Sequence, residues 1–179
     1  ESGILLHITS LPEKGGIGTL GREAYRFVDF IRDSGMSIWQ VLPVGPVGYG
    51  ESPYQSVSTY AGSPMMIDLT MLEEEGILPQ GHITVLPDSD KVDFEAVRAA
   101  KEKALRAAFA ASKDKVDTDA FRRENPWVEE YALFMALKTC FRGRPWQDWS
   151  MSLILRLPAV LESYRKELDE DVRFHSFLQ

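Results

Sequence analysis

The sequence has 179 residues, 44% of them hydrophobic and 26% charged, which suits one globular core or one domain with a helical appendage. Its net charge of −7 argues against nucleic acid as a partner, because nucleic-acid-binding surfaces need clustered Lys and Arg. The single Cys140 excludes an internal disulfide framework, and His7, His82 and His175 lack the spacing of metal ligands. Without a membrane-length apolar stretch or a leader pattern, we expect a cytoplasmic protein with no membrane partner.

The N-terminal part predicts a strand, a helix and a second strand. Residues 3–9 are an apolar run typical of a short, fully buried strand, and residues 37–42 are another. Residues 19–35 between them predict a helix, which Thr19 can cap and Gly35 can end. Its apolar positions recur at helical spacing: Leu20, Ala24, Phe27, Val28 and Ile31. This order predicts a parallel βαβ unit with a right-handed crossover.

After residue 69 the pattern becomes helical, so we divide the chain into an N-terminal βαβ segment, residues 1–69, and a helical subdomain, residues 70–179. Loops, connectors or turns are predicted over residues 77–90, 113–117 and 146–151. Helices are predicted over residues 72–76 (ended by Gly76), 93–111, 127–141, 152–157 (cut off by Pro158) and 159–179.

Long loops rich in Gly and Pro follow both predicted strands, over residues 10–18 and 43–64. The connection from the helix to the second strand is minimal by contrast. This asymmetry is typical of an α/β fold whose site lies at the carboxyl ends of its strands.

The second loop carries the candidate ligand-binding residues. Tyr49 and Tyr54 offer aromatic faces, and Ser52 and Gln55 offer hydrogen-bonding groups on a backbone shaped by Gly and Pro. Sugars suit this composition, because their C–H faces stack on aromatic rings while their hydroxyls need donors and acceptors. Alternatively, the tyrosines are surface aromatics that pack back onto the fold. Glu51, a lone acid, suits a solvated or structural role better than a catalytic one.

Residues 16–21 match the dinucleotide fingerprint G-x-G-x-x-G, but their context does not. Residues 10–15 separate the first glycine from the strand, and residues 42–44, at the end of the second strand, lack the acidic residue that would hold a ribose. Turn glycines entering a helix are therefore the favoured interpretation, with a nucleotide site as the alternative.

Other conspicuous side chains favour structural roles. His7, within an apolar strand, suits a hydrogen-bonded core histidine, with ligand contact as the alternative, and Trp39 suits core packing. Cys140 lacks a partner histidine in view and is expected to be inert. An aromatic stripe on one helix is also expected in the core: Trp127, Tyr131, Phe134, Met135 and Phe141.

Several motifs strongly resemble the N-terminal part of glycoside hydrolase family 77, the 4-α-glucanotransferases or amylomaltases. They are residues 3–12 (GILLHITSLP), 16–21 (GIGTLG), 39–50 (WQVLPVGPVGYG) and 52–55 (SPYQ), with later matches at 125–138, 146–149 and 174–179. The loop motif is highly specific. One departure is Glu51, where the family usually has Asp.

The resemblance implies a (β/α)8 barrel with helical insertions that acts on α-1,4-glucans and maltooligosaccharides without a metal or organic cofactor. It implies a retaining transfer of glycosyl units to another sugar through a carboxylate nucleophile and a second carboxyl group. By the same resemblance, Ser52, Pro53, Tyr54 and Gln55 match the segment lining the donor subsites. Tyr49 matches a tyrosine that binds glucan outside the cleavage point.

A barrel of this kind needs about 250 residues and eight strands, whereas this sequence offers two strands before it becomes helical. The family's catalytic carboxylates belong to later strands, so we place no catalytic residue in this chain. We expect an N-terminal portion of a longer enzyme, inactive alone and partnered by the remainder of its own chain beyond Gln179. The alternatives are a non-catalytic α-glucan-binding module and, more distantly, a nucleotide-dependent enzyme.

Overall fold

The computed structural model describes residues 1–48, 50–87, 89–112 and 115–179. These residues form two compact units, Glu1–Lys115 and Val116–Gln179. The boundary predicted between residues 69 and 70 marks a change of composition and stays a prediction. Within the described residues, strands occur only before residue 69, so the later part is helical as expected.

The first unit begins with the predicted strand, helix and strand. Strand β1 (Gly3–Leu5) pairs in parallel with β2 (Ile38–Gln40), with Ile4 opposite Trp39, and helix α1 (Arg22–Asp33) connects them. Both strands are shorter than predicted, and the expectation that the first is fully buried is wrong. Leu5 is 59% exposed and Ile38 43% exposed, because a sheet of two short strands leaves much of its own surface uncovered.

Helix α1 ends as its sequence predicts but begins differently. Gly35 has a φ of +72° and its N–H donates to the Arg32 carbonyl, while the Met36 N–H donates to the Ile31 carbonyl. These two bonds form a Schellman motif, the ending that a glycine at this position favours. Thr19 does not cap the helix, because Gly21 is the residue at its start and the Thr19 hydroxyl donates to Asp68 instead.

The inner face of α1 packs on the sheet and on the neighbouring loop. Ala24 is buried with Ile8, Leu11 and Met66, and Trp39 packs against this cluster as predicted. Of the predicted apolar face, Leu20 and Val28 are exposed, since two strands cover only part of a helix surface.

Two further helices complete the first unit. Helix α2 (Leu69–Glu74) begins earlier than predicted, because the Asp68 carboxylate accepts the Met71 N–H at its start. Gly76 follows it with a φ of +69°. Helix α3 (Phe94–Ala111) matches its prediction closely, and the Asp93 carboxylate caps it through the Ala96 N–H.

The second unit consists of five helices over its described residues: α4 (Thr118–Glu124), α5 (Trp127–Cys140), α6 (Met151–Ile154), α7 (Pro158–Glu167) and α8 (Asp169–Phe177). Helix α4 was not predicted, and residues 159–179 were predicted as one helix where the structure has α7 and α8. Pro158 stands at the first position of α7, where a missing N–H costs nothing.

The core of the second unit is aliphatic more than aromatic. Its buried cluster brings α5 onto α6 and α8. In the predicted aromatic stripe only Tyr131 is buried, while Trp127, Phe134, Met135 and Phe141 are half-buried. The buried residues of the cluster are Ala132, Leu133, Ala136, Leu137, Leu153 and Val172.

No helix within the described residues combines the length and apolar character needed to cross a lipid bilayer. The same residues hold no group of three or more His, Cys, Asp or Glu side chains placed to bind a metal ion.

Candidate functional site: the loop after strand β2

The loop after β2 folds into a small hairpin over residues 46–57, which we call the loop hairpin. Val47 and Ser56 form an antiparallel bridge. The Gly48 N–H donates to the Gln55 carbonyl at 3.2 Å, and the Val57 N–H donates to the Pro46 carbonyl at 3.1 Å. These bonds give the Gly- and Pro-rich stretch a defined shape and place residues 50–54 at its tip.

The base of the loop hairpin is closed by Ser56 and Gly45. The Ser56 hydroxyl lies 2.6 Å from the Ser58 carbonyl and 3.2 Å from the Pro46 carbonyl. A Cβ at Gly45 would overlap this hydroxyl, so a larger residue would push the two sides apart. Glycine at position 45 therefore allows the Ser56 side chain to lie close to the backbone there.

The tip turns through two successive residues with positive φ, Gly50 at +87° and Glu51 at +56°. Glycine adopts this conformation freely, whereas Glu51 does so at a steric cost. The Glu51 carboxylate accepts a hydrogen bond from Arg98 of helix α3 at 2.5 Å. Glu51 therefore has a structural partner, in line with the non-catalytic interpretation of this acid.

The predicted sugar-binding residues cluster on this tip. Ser52 and Pro53 are half-buried, and the Ser52 carbonyl accepts the Gln55 N–H at 3.0 Å. Tyr54 is 74% exposed and Gln55 is exposed, so an aromatic face and an amide point away from the core. The alternative in which the Tyr54 ring packs back onto the fold does not match this exposure. Tyr49 lies outside the described residues.

His7 lies just beyond the carboxyl end of β1. Its Nδ1 is buried without a hydrogen-bond partner among the described residues, and burial lowers the pKa of the imidazole. The side chain is therefore neutral at pH 7. Nδ1 does not make the hydrogen bond expected of a core histidine. Trp39, by contrast, donates its indole N–H to the Leu6 carbonyl at 2.7 Å.

A buried polar cluster beneath the two loops was not predicted. Lys101 of helix α3 is only 4% exposed, and its ammonium donates to the Ile67 carbonyl at 2.6 Å. Burial lowers the pKa of Lys101 to about 8, against the opposing attraction of Asp68 and Glu13. Asp68 in turn accepts the Thr19 hydroxyl at 2.7 Å. The sequence signal was the position of Lys101 within an apolar stripe of α3: Val97, Ala104, Leu105 and Ala108.

A Cβ added to any of the three glycines of the G-x-G-x-x-G stretch would meet other protein atoms. A Cβ at Gly18 would overlap the Ile8 carbonyl oxygen, and one at Gly21 would overlap the Asp68 carboxylate. Gly16 has a φ of +80°. Their spacing therefore serves the packing of the chain on itself, which supports the turn interpretation over a nucleotide site.

A cleft of about 1290 Å³ lies within the first unit, between the loop after β1 and residues 85–87 and 89–97. Its walls are partly apolar, and Ser10, Glu13, Lys14 and Asp93 add polar groups. The loop that follows β1 thus lines a cleft beyond the carboxyl end of its strand, the place where α/β folds bind ligands.

Comparison with known proteins identifies the family. Residues 6–179 match the family described as 4-alpha-glucanotransferase, glycoside hydrolase family 77, and the chain belongs to it. It is 44% identical to the 4-alpha-glucanotransferase of Thermus thermophilus over 191 residues, covering 99% of this chain. It is 40% identical to that of Clostridium butyricum over 181 residues, covering 97%. These findings confirm the resemblance drawn from the sequence motifs.

The fold is similar to that of a solved family member. Amylomaltase from Streptococcus agalactiae, in complex with acarbose, superposes with a TM-score of 0.93 and 34% sequence identity over 99% of this chain. The chain spans only a little over a third of its relatives: 36% of the Thermus protein, 37% of the Clostridium protein and 37% of the amylomaltase chain.

Proposed function

We propose that this chain is the N-terminal part of a 4-α-glucanotransferase that transfers α-1,4-glucan segments between maltooligosaccharides. The observation that carries the proposal is the exposed tip of the loop hairpin, with Tyr54 and Gln55 facing away from the core in a chain of this family. The solved amylomaltase is in complex with acarbose, and its fold matches nearly the whole length of this chain.

The part of this chain in the reaction is to hold sugar. The Tyr54 ring offers an apolar face on which the C–H face of a glucose unit can stack, and the Gln55 amide and Ser52 hydroxyl offer hydrogen bonds to hydroxyls. Pro53 stiffens the backbone between them by fixing its own φ. We assign Tyr49 to the same surface by the family resemblance alone.

The chemistry is assigned to residues outside this chain. A retaining transfer needs a carboxylate nucleophile and a second carboxyl group about 5 Å away, which acts as acid and then as base. The acid on the loop hairpin, Glu51, is bound to Arg98 and is not assigned to this pair. We therefore propose no catalytic residue in residues 1–179 and expect this part alone to be inactive.

We also propose that β1 and β2 are the first strands of a (β/α)8 barrel. The pair is parallel, α1 connects it, and both long loops follow the strands at the same edge. Apolar residues on or near the strands remain exposed, which suits a sheet that continues: Leu5, Ile38, Val41 and Val44. A non-catalytic glucan-binding module is less favoured, because the matched relatives bear the names of enzymes.

The test is to incubate the full-length protein with maltotriose and to separate the products by chain length. A transferase yields glucose together with a ladder of oligosaccharides longer than maltotriose. Glucose and maltose alone would identify a hydrolase, and binding without any products would favour the module.

A further inference from the structure

We propose that Arg98 of helix α3 is a positioning residue for glucan binding, which fixes the tip of the loop hairpin by holding the carboxylate of Glu51. The inference rests on the proposed function, since it names a residue that organises the same sugar-binding surface. Arg98 touches no sugar in this scheme and acts only through Glu51.

The contact itself is close and partly shielded. Arg98 Nη2 lies 2.5 Å from Glu51 Oε1; the Arg98 side chain is 49% exposed, whereas the Glu51 side chain is only 23% exposed. The second carboxylate oxygen, Oε2, is buried without a hydrogen-bond partner among the described residues. Removing the guanidinium would thus leave a partly buried carboxylate with no counter-charge, which costs more than losing an exposed ion pair.

The backbone at Glu51 needs such a tether. Its φ of +56° is left-handed, a conformation that costs a residue with a Cβ roughly 1 kcal/mol or more. The adjacent Gly50, with a φ of +87°, does not restrict the backbone of the tip to one conformation, because glycine adopts positive and negative φ about equally well. A long-range contact to the Glu51 side chain therefore selects one turn among several open to the tip.

Helix α3 is a firm support for this tether. One turn along from Arg98, the buried Lys101 donates to the Ile67 carbonyl at 2.6 Å. Residues three apart lie on the same helix face, so both side chains reach the βαβ segment from one face of α3. Val97, also on α3, lies against the loop after β1, since a Cβ at Gly16 would stand 3.2 Å from its Cγ2. Helix α3 thus links both loops of the site.

The consequence for function follows from the chain order. Glu51 immediately precedes Ser52, Pro53, Tyr54 and Gln55, so any change in its position moves the proposed sugar-binding residues. Loss of the tether weakens binding of the glucan in ground state and transition state alike, because the reacting carboxylates belong to other parts of the protein. Such uniform loss raises KM and leaves kcat nearly unchanged.

The experiment uses the full-length protein and steady-state transfer from maltotriose. We expect Arg98→Ala to raise KM about 3- to 10-fold while kcat stays within about 2-fold. Glu51→Gln, which keeps the size of the side chain but loses its charge, should also raise KM. Lys103→Ala is the matched control, since Lys103 is an exposed cation on the same helix, and its KM should not change.

Charge exchange separates positioning from a general loss of structure. Arg98→Glu and Glu51→Arg each place two like charges next to one another and should raise KM. The double exchange restores an ion pair and should bring KM most of the way back to the wild-type value. An arginine is tolerated in this backbone conformation, as Arg142 and Arg156 both have a φ near that of Glu51, +51° and +53°.

Two outcomes would overturn the inference while leaving the transferase assignment intact. One is an unchanged KM in Arg98→Ala. The other is a double exchange no better than the single variants. If the wild-type protein forms no oligosaccharides longer than maltotriose, the proposed function is refuted, and the inference with it.

Discussion

Three glycines in the loop after β1 each accommodate a different part of the chain. Gly18 lies against the Ile8 carbonyl, its N–H donates to the Thr9 carbonyl at 3.1 Å, and Gly21 lies against the Asp68 carboxylate. Gly16 turns the chain with a positive φ. The apparent nucleotide fingerprint is thus explained by close packing, and the loop depends on residues without a Cβ.

This dependence predicts a sharp contrast between neighbouring glycines. Gly18→Ala should lower the free energy of unfolding by about 3 kcal/mol, because its Cβ would overlap the Ile8 carbonyl and lie 2.7 Å from the Leu11 nitrogen. Gly15→Ala is the matched control, since nothing lies within 4 Å of its Cβ, and it should change the free energy by less than about 0.5 kcal/mol. Chemical denaturation measures both, and equal effects would contradict the packing explanation.

At single positions, the sequence predicted what depends on local chemistry and missed what depends on distant partners. Gly35 ends α1 through bonds within five residues, and a local pattern suffices to predict it. Thr19 has the chemistry of a helix cap, but Asp68, 49 residues away, takes its hydroxyl. The pair Arg98–Glu51, 47 residues apart, could not be predicted for the same reason.

Helix α3 is the element whose role differs most from its sequence-based description. It follows the predicted boundary after residue 69, which stays a prediction, and it lies in the compact unit Glu1–Lys115 with β1, α1 and β2. Lys101, placed in its apolar stripe, binds the Ile67 carbonyl, and Arg98 reaches the loop hairpin. Periodicity indicates which face of a helix is buried but not which element covers it.

The buried lysine predicts a distinctive dependence of stability on pH. The pKa of Lys101 is about 8 in the fold and 10.5 as its ordinary value, so between these values the unfolded chain binds more protons. Stability contributed by Lys101 therefore rises as pH rises through this window.

The measurement compares full-length wild type with Lys101→Met, which keeps a long apolar side chain without the charge. The difference in unfolding free energy between them should shift in favour of wild type by about 2 kcal/mol between pH 8 and pH 10. Asp68 and Glu13 are the carboxylates whose attraction acts on Lys101 and opposes the effect of burial. A difference that stays constant with pH would show that Lys101 titrates normally.

Other elements follow the same division between local and distant causes. Helices α3 and α5 were predicted within about two residues. Helix α3 has a cap at Asp93, and α5 is a long apolar run between Pro126 and Gly143. Helix α4 has only seven residues, too few to show a periodic apolar face, and its cap at Asp117 is the sole local sign. The strands are shorter than their apolar runs, since strand length is set by pairing.

At the scale of the whole molecule, the chain spans a little over a third of its relatives' length. The proposed barrel would need six further strands and two catalytic carboxylates from elsewhere. The motifs of the two loops sufficed to identify the family, because they combine rare turn residues with specific polar and aromatic groups. The arrangement of those groups on a hairpin tip needed the structure.

The most direct test of a glucan-binding loop hairpin compares two equally exposed tyrosines. Tyr54 and Tyr60 are both 74% exposed, but only Tyr54 lies on the tip. In full-length protein, Tyr54→Ala should raise the KM for maltotriose about 10-fold, as loss of one stacked ring implies, while Tyr60→Ala should leave KM within about 2-fold. Equal effects of the two substitutions, or no effect of Tyr54→Ala, would contradict the claim that this tip binds sugar.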